Sequence, residues 1–146
     1  MSDYEGSVVI GRDPKDVWAY VSDLGRTPEW RTSVKSVDPP GALAPGASFD
    51  ARTRVVGRTW HWRLVLDEVD PPTTLTYSVA EGFTDITVTY RVEPDGTGTR
   101  FTLVARSEAR RLFERLLEPI AGRALRRESE RHLANLKAAL EDGVSE

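Results

Sequence analysis

The fold is decided by residues 8–30, which read VVIGRDPKDVWAYVSDLGRTPEW. The stretch opens with an apolar strand segment, and Asp13 and Pro14 then end the strand and begin a helix. Asp13 can accept hydrogen bonds from free N–H groups of the first turn, and Pro14 loses nothing there by lacking its own. Apolar side chains at helical spacing predict a helix that runs to about Leu24, followed by a short second turn at residues 28–30.

Downstream of this stretch, apolar and polar residues alternate in short runs that are separated by proline and glycine clusters. The clearest run is residues 58–69, in which Trp60, Trp62 and two leucines share one face. Such alternation is typical of an antiparallel sheet that is covered on one side. After Ser107, apolar residues recur at helical spacing to the end of the chain. Pro119 interrupts this predicted helix, which indicates a kink or a short helix ahead of the main one.

The order of these elements predicts the fold class. We expect one α+β domain over residues 1–146, in which a curved antiparallel sheet of about seven strands wraps around a long C-terminal helix, with two short helices after the first strand. A helix of this length must bury its apolar stripe, and the concave face of the sheet offers the only large apolar surface. Such a sheet leaves a space that side chains do not completely fill, and that space is the predicted binding site.

The composition excludes several classes of function. The chain has no cysteine, so it can form no disulfide, thiolate nucleophile or cysteine-based zinc site. Its 20 Lys and Arg residues against 23 Asp and Glu residues give a formal charge of −3, which argues against a nucleic-acid partner. The longest apolar run, residues 17–21, is much shorter than the ~18 residues of a membrane span. The N-terminus lacks the features of a signal peptide, so we expect a cytoplasmic protein.

Three segments of the chain resemble one known family. Residues 8–30, the hairpin EPDGTGTRF at residues 93–101 and LANLK at residues 133–137 are similar to the START-like, helix-grip (Bet v 1-like) superfamily, in its SRPBCC polyketide cyclase/dehydrase and lipid-transport branch. The resemblance implies a pocket for a hydrophobic ligand between the sheet and the long helix. It implies no single reaction and no universal catalytic residue, because members include lipid carriers, hormone and quinone binders, aromatases and cyclases.

Aromatic side chains are the candidate ligand contacts, because aromatic walls suit flat apolar or conjugated molecules. The candidates on predicted inward faces or near the predicted mouth are Trp30, Phe49, Trp60, Trp62, Tyr77, Tyr90 and Phe113. An ordinary core position is the competing interpretation for each of them. Tyr77 and Tyr90 are the most informative, since a buried hydroxyl must find a partner in a ligand carbonyl or in the neighbouring backbone.

The two histidines are weak candidates for chemistry. A histidine suits proton transfer near neutral pH, but His61 alternates with Trp60 and Trp62 and is therefore predicted to point outward. His132 lies late in the terminal helix, and two histidines without cysteine make a poor set of metal ligands. We therefore expect no metal and no cofactor, and the sequence identifies no catalytic residue.

Three functions stay open at this point. The first is non-catalytic binding or transport of a small hydrophobic molecule, whether lipid-like, polyketide-like or aromatic. The second is a polyketide aromatase, cyclase or dehydratase, in which tyrosine hydroxyls or an arginine polarise carbonyl groups in the same cavity. The third is a protein-interaction module that uses the arginine-rich C-terminal helix and has a filled interior, although interleaved charges of this kind are typical of a salt-bridged outer face. The sequence favours the first function and is compatible with a homodimer.

Overall fold

The computed structural model describes residues 2–55, 57–81, 86–107 and 111–142, with side chains described at residues 4–54, 57–80, 86–106 and 126–141. The described helices are α1 (Pro14–Val21), α2 (Thr27–Trp30) and α3 (Arg111–Asp142), and a 3-10 turn at Leu24–Arg26 leads into α2. The described strands are β1 (Ser2–Ile10), β2 (Val34–Asp38), β3 (Ser48–Val55), β4 (Arg58–Asp70), β5 (Thr74–Glu81), β6 (Ile86–Asp95) and β7 (Gly98–Ser107).

All seven strands belong to one antiparallel sheet with the order β1-β7-β6-β5-β4-β3-β2. Each neighbouring pair from β2 to β7 is consecutive in the chain, and β1 joins the far side of β7. The sheet is curled into a half-barrel, and α3 packs against it. The predicted helix-grip fold of the α+β class is therefore confirmed.

The first helix begins where the sequence predicts and ends earlier. The side chain of Asp13 accepts a hydrogen bond from the backbone N–H of Lys15 at 3.0 Å, and Pro14 occupies the first turn. The helix ends at Val21, whereas the sequence predicted an end at about Leu24. The prediction was wrong because Asp23 has an extended ψ of 86°, which breaks the helical path before the 3-10 turn.

The core lies between the concave face of the sheet and one face of α3. The buried positions of α3 recur at helical spacing, so they form one stripe along the helix. The stripe on α3 consists of Leu133, Leu136 and Leu140. It packs with the central buried residues of the sheet, which are Leu66, Leu75, Tyr90, Phe101 and Leu103.

Polar contacts fix the C-terminal end of α3 against the end of β1. The Lys137 ammonium donates a hydrogen bond to the backbone carbonyl of Val9 at 2.8 Å. The Glu141 carboxylate accepts one from the backbone N–H of Gly11, also at 2.8 Å. The helix therefore lies across the sheet in one defined position.

The helix α3 runs without a break from Arg111 to Asp142 and includes Pro119. Of the two expected alternatives, a kink or a separate short helix at Pro119, the separate short helix was therefore wrong. A proline removes one backbone hydrogen bond, and a long helix that is anchored elsewhere can tolerate that loss. Within the described part of the chain, no helix has both the length and the apolar character that crossing a membrane requires.

Candidate functional site

A cavity of about 210 Å³ lies between β3, β4, β5 and β6 on one side and the short helices with α3 on the other. We call it the sheet–helix cavity. Each of these strands contributes alternate residues, because side chains two positions apart point to the same face of a sheet. The contributions of these four strands are Phe49, Ala51 and Thr53 from β3, Trp62 and Leu64 from β4, Tyr77 and Val79 from β5, and Ile86 and Val88 from β6, and β2 adds Val34 and Val37.

Three of the aromatic candidates meet in the cavity wall. The rings of Phe49 and Tyr77 pack edge to face, with centroids 5.5 Å apart. The indole N–H of Trp62 donates a hydrogen bond to the hydroxyl of Thr53 at 2.8 Å, which holds the ring in place on the wall. The wall is therefore aromatic and ordered, as a site for a flat apolar molecule requires.

Two further candidates lie in the core instead of the cavity lining. Trp30, expected near the mouth, is 1% exposed, and Tyr90 is 0% exposed. Their rings form one cluster with Phe101, with centroid distances of 5.5 to 5.8 Å. Only the hydroxyl end of Tyr90 reaches towards the polar groups of the cavity, as described below.

The remaining candidates are not part of the described cavity wall. Trp60 lies near the hairpin between β3 and β4, where the guanidinium carbon of Arg58 is 5.3 Å from the ring centroid. Phe113 belongs to α3, but its side chain lies outside the described residues. His61 points outward as the alternation predicted, with a side chain that is 56% exposed.

A buried arginine enters the cavity from the end of α2. The backbone N–H of Arg31 closes that helix by donating to the carbonyl of Thr27 at 2.8 Å. Its Nη1 donates to the hydroxyl of Tyr77 at 2.5 Å and to that of Tyr90 at 3.4 Å, and the two hydroxyl oxygens are themselves 3.4 Å apart. The Nε atom is buried and has no hydrogen-bond partner among the described residues. We call Arg31, Tyr77 and Tyr90 the polar cluster.

The guanidinium of the polar cluster stays charged. Burial by itself lowers the pKa of Arg31, but the oxygens of Tyr77 and Tyr90 more than offset this, so the pKa lies above its ordinary value. Burial also raises the pKa of Tyr90, with Tyr77 adding to the effect, so this phenol stays neutral. Among the described residues, the cavity lining presents the cation of Arg31, the carboxylate of Glu128, hydroxyl groups and an otherwise largely apolar wall.

The charge of Arg31 also affects the pKa of His132, a buried histidine of α3. Burial, followed by the positive charge of Arg31, lowers the pKa of His132 to about 4, although Glu128 acts in the opposite direction. The Nε2 atom of His132 is 3.8 Å from the nearer carboxylate oxygen of Glu128, which is too long for a hydrogen bond. The imidazole is therefore neutral near pH 7. The described part of the chain brings no three His, Asp or Glu side chains together where a metal ion could bind.

Reasoning from the sequence missed Arg31 and His132. A charged residue at the end of a short helix is ordinarily exposed, and a helix of four residues is too short for periodicity to show which way Arg31 points. His132 lies directly before Leu133 and one turn before Leu136, both in the buried stripe. That position is the one signal that could have predicted its burial.

A second hollow, of about 500 Å³, lies between β1 and α3. It is larger than the sheet–helix cavity, but it is lined by charged side chains that include Glu5, Arg126, Glu130 and Lys137. Such groups stay solvated at little cost and offer few apolar contacts to a ligand. We therefore assign the site to the smaller cavity, which combines aromatic walls with a buried cation.

One protein-family model matches nearly the whole chain. A family model described as polyketide cyclase/dehydrase and lipid transport matches residues 1–141. No curated protein sequence matches the chain.

Solved structures share the fold over nearly the whole chain. TTHA0849 from Thermus thermophilus has a TM-score of 0.80 at 18% identity, and the match covers 94% of this chain and 96% of that one. The Zhui aromatase/cyclase from a Streptomyces species has a TM-score of 0.73 at 15% identity, with 97% and 94% covered. Ara h 8.0201 has a TM-score of 0.68 at 14% identity, with 94% and 96% covered. At these identities the likeness shows the fold alone.

Proposed function

Because the chain belongs to the polyketide cyclase/dehydrase and lipid transport family, we propose that it binds a small, largely apolar molecule in the sheet–helix cavity. The observation that carries this proposal is the cavity itself, whose wall is built from alternate residues of four neighbouring strands. In an ordinary core these side chains would pack to the density of an organic crystal and leave no such space. Transport would require the protein to bind the same molecule first and then release it elsewhere, so binding is the step to test first.

The size and lining of the cavity set limits on the ligand. A volume of about 210 Å³ corresponds to about seven water molecules, so the cavity suits a ligand on the order of ten non-hydrogen atoms. Burial of apolar surface contributes about 25 cal/mol per Å² to binding, before the cost of ordering the ligand is subtracted. The rings of Phe49 and Trp62 favour an aromatic or conjugated ligand over a flexible chain, because a rigid ring loses less conformational freedom.

Catalysis of the aromatase or cyclase type is a second candidate, and one specific observation favours it. Arg31 and Tyr77 are positioned to stabilise negative charge on a carbonyl oxygen, and the Glu128 carboxylate lines the same cavity. Such an arrangement would let Glu128 remove a proton next to the carbonyl while Arg31 binds the resulting enolate oxygen. Catalysis predicts faster exchange of deuterium into 4-phenylbutan-2-one next to its carbonyl and loss of that rate in Glu128→Gln, whereas a pure binder leaves the exchange rate unchanged.

The interaction module with a filled interior is the least favoured of the three functions. That function requires a filled interior, whereas the described residues line the sheet–helix cavity, which is open space. Aromatic side chains and a charged guanidinium meet in that cavity, whereas a filled core would hold apolar groups alone.

Binding is tested by titration of a neutral apolar probe, 3-phenylpropanamide, into the ¹⁵N-labelled protein. We expect saturable shifts of amide signals from β3, β4 and β5, centred on Phe49, Trp62 and Tyr77. Ala51→Phe should abolish these shifts, because Ala51 is 5% exposed and its side chain faces the cavity, so a phenyl ring would fill it. Ala42→Phe, which adds the same ring to an exposed loop position, is the matched control and should bind as the unmodified chain does.

A folded Ala51→Phe protein that binds the probe as tightly as the unmodified chain would contradict the proposal. So would saturable shifts confined to β1 and the facing part of α3, because these line the second hollow.

A further inference from the structure

The Arg31 guanidinium lies among side chains that do not satisfy all of its hydrogen-bond donors. A guanidinium presents several N–H donors in one plane. The described residues offer it only the neutral oxygens of Tyr77 and Tyr90, both through Nη1, and leave its buried Nε–H without an acceptor. Arg31 nevertheless keeps part of its surface accessible, because it lines the sheet–helix cavity. Arg31 therefore places a guanidinium that is not fully hydrogen-bonded at the edge of the space in which a ligand would bind.

A buried cation without a carboxylate is energetically expensive. Hydroxyl oxygens solvate the charge only in part, and buried charges in proteins are ordinarily paired. Several arginines nearer the surface pair with carboxylates, as between Arg12 and Asp16, Arg63 and Asp50, or Arg100 and Asp95. Arg31 forms no such pair with the described side chains. A stable fold does not need this cation, so its presence in the cavity points to a partner that arrives from outside.

The other ionisable groups near the polar cluster do not supply that partner. His132 is held in its neutral form by burial and by Arg31 itself. Glu128 lines the cavity, but its side chain is 41% exposed and makes its nearest ionic approach to His132 and not to Arg31. Solvent therefore screens Glu128 more effectively than it screens the enclosed guanidinium. The inner end of the cavity keeps a net positive charge.

We infer that the sheet–helix cavity selects molecules that carry a carboxylate, with Arg31 as the residue that binds it and the hydroxyls of Tyr77 and Tyr90 beside it. This inference rests on the proposed function, since it specifies the ligand of the same site. A carboxylate matches the planar fork of a guanidinium and accepts two parallel hydrogen bonds from it. The ligand is then an acid with an apolar, preferably aromatic, body on the order of ten non-hydrogen atoms, the size set by the cavity.

The test compares 3-phenylpropanoate with 3-phenylpropanamide by isothermal titration at pH 7.5. The two probes have the same size and shape and differ in charge, so the ratio of their dissociation constants isolates the carboxylate. We expect the carboxylate to bind at least tenfold more tightly to the unmodified chain, because charge-assisted hydrogen bonds are about twice as strong as neutral ones.

Arg31→Met should remove this preference, so that the two probes bind the variant with dissociation constants within about threefold of each other. Methionine replaces the guanidinium with an apolar group of similar length, and apolar replacements of buried charges are often neutral or stabilising, so the variant is expected to fold. Its thermal midpoint without a probe should be no lower than that of the unmodified chain. Arg91→Met removes an arginine from the exposed face of β6 and is the matched control, which should keep the full preference.

The outcomes separate the two proposals. If both probes bind in the cavity with equal affinity, the carboxylate inference is wrong and the proposed binding function stands. If neither probe binds, the proposed function fails and the inference fails with it. If Arg31→Met keeps the tenfold preference, another residue recognises the carboxylate and the assignment to Arg31 is wrong. The comparison of the two probes on the unmodified chain decides the ligand class even if the variant does not fold.

Discussion

Trp30→Ala is expected to lower the free energy of unfolding by about 4 kcal/mol, the largest effect that we predict for a single substitution. Trp30 is 1% exposed, and its ring contacts both Tyr90 and Phe101 in the aromatic cluster. Its backbone carbonyl also accepts a hydrogen bond from the amide of Asn135 at 3.2 Å, which joins α2 to α3. Removal of the indole would leave a cavity where the sheet, α2 and α3 meet. Urea-induced unfolding followed by circular dichroism measures the change.

The matched control is Trp60→Ala, which makes the same substitution on β4. The Trp60 side chain is partly exposed and lies outside the core cluster, so the expected loss is about 1 kcal/mol. Trp30→Phe should recover part of the loss, because a phenyl ring restores some of the buried area and the edge-to-face contacts. Equal losses for Trp30→Ala and Trp60→Ala would mean that the aromatic cluster is not the centre of the core.

Acidification is expected to destabilise the protein through His132 by about 3 kcal/mol between pH 6.5 and pH 4. The pKa of His132 is lowered to about 4 in the folded chain, first by burial and then by the charge of Arg31, whereas an unfolded histidine has a pKa of about 6.5. Between these two values the unfolded chain binds a proton that the folded chain does not, so stability falls as the pH falls. The separation of about 2.5 pH units corresponds to about 3 kcal/mol, at 1.36 kcal/mol per unit.

The measurement is the unfolding free energy of the unmodified chain and of His132→Gln from pH 7.5 to pH 4. The difference between the two should shift by about 3 kcal/mol in favour of the variant as the pH falls, because glutamine does not titrate. His61→Gln removes the other histidine, whose side chain is 56% exposed, and reports what a surface imidazole contributes. A His132→Gln difference that stays constant with pH would show that His132 is not held in its neutral form by its surroundings.

The regular elements of this fold could be predicted because their signals are local. Asp13 and Pro14 mark the start of α1 through capping chemistry that involves only neighbouring residues. The alternation around Trp62 assigned one face of β4 to the interior and His61 to the outside, since successive side chains of a strand point to opposite faces. The end of α1 could not be predicted in the same way, because it depends on the backbone of Asp23 and not on side-chain periodicity.

The candidate site was only partly predictable, because its polar residues meet through tertiary structure. Tyr77 was predicted as an inward-facing hydroxyl, and it lines the cavity. Its partner Arg31 is 46 positions away in the sequence, and nothing in the four-residue helix before it indicates that the arginine turns inward. His132 is likewise placed by the packing of α3 near α2. Alternation and helical period describe one element at a time, so they cannot show which polar groups of different elements converge.

A crystal structure of the protein with 3-phenylpropanoate bound tests the central claim most directly, namely that the space between sheet and helices is a ligand site with a cation in it. We expect the phenyl ring against Phe49 and Trp62, and both carboxylate oxygens about 3 Å from the Arg31 guanidinium. A probe seated in the hollow between β1 and α3, or one whose carboxylate points away from Arg31, would contradict the account.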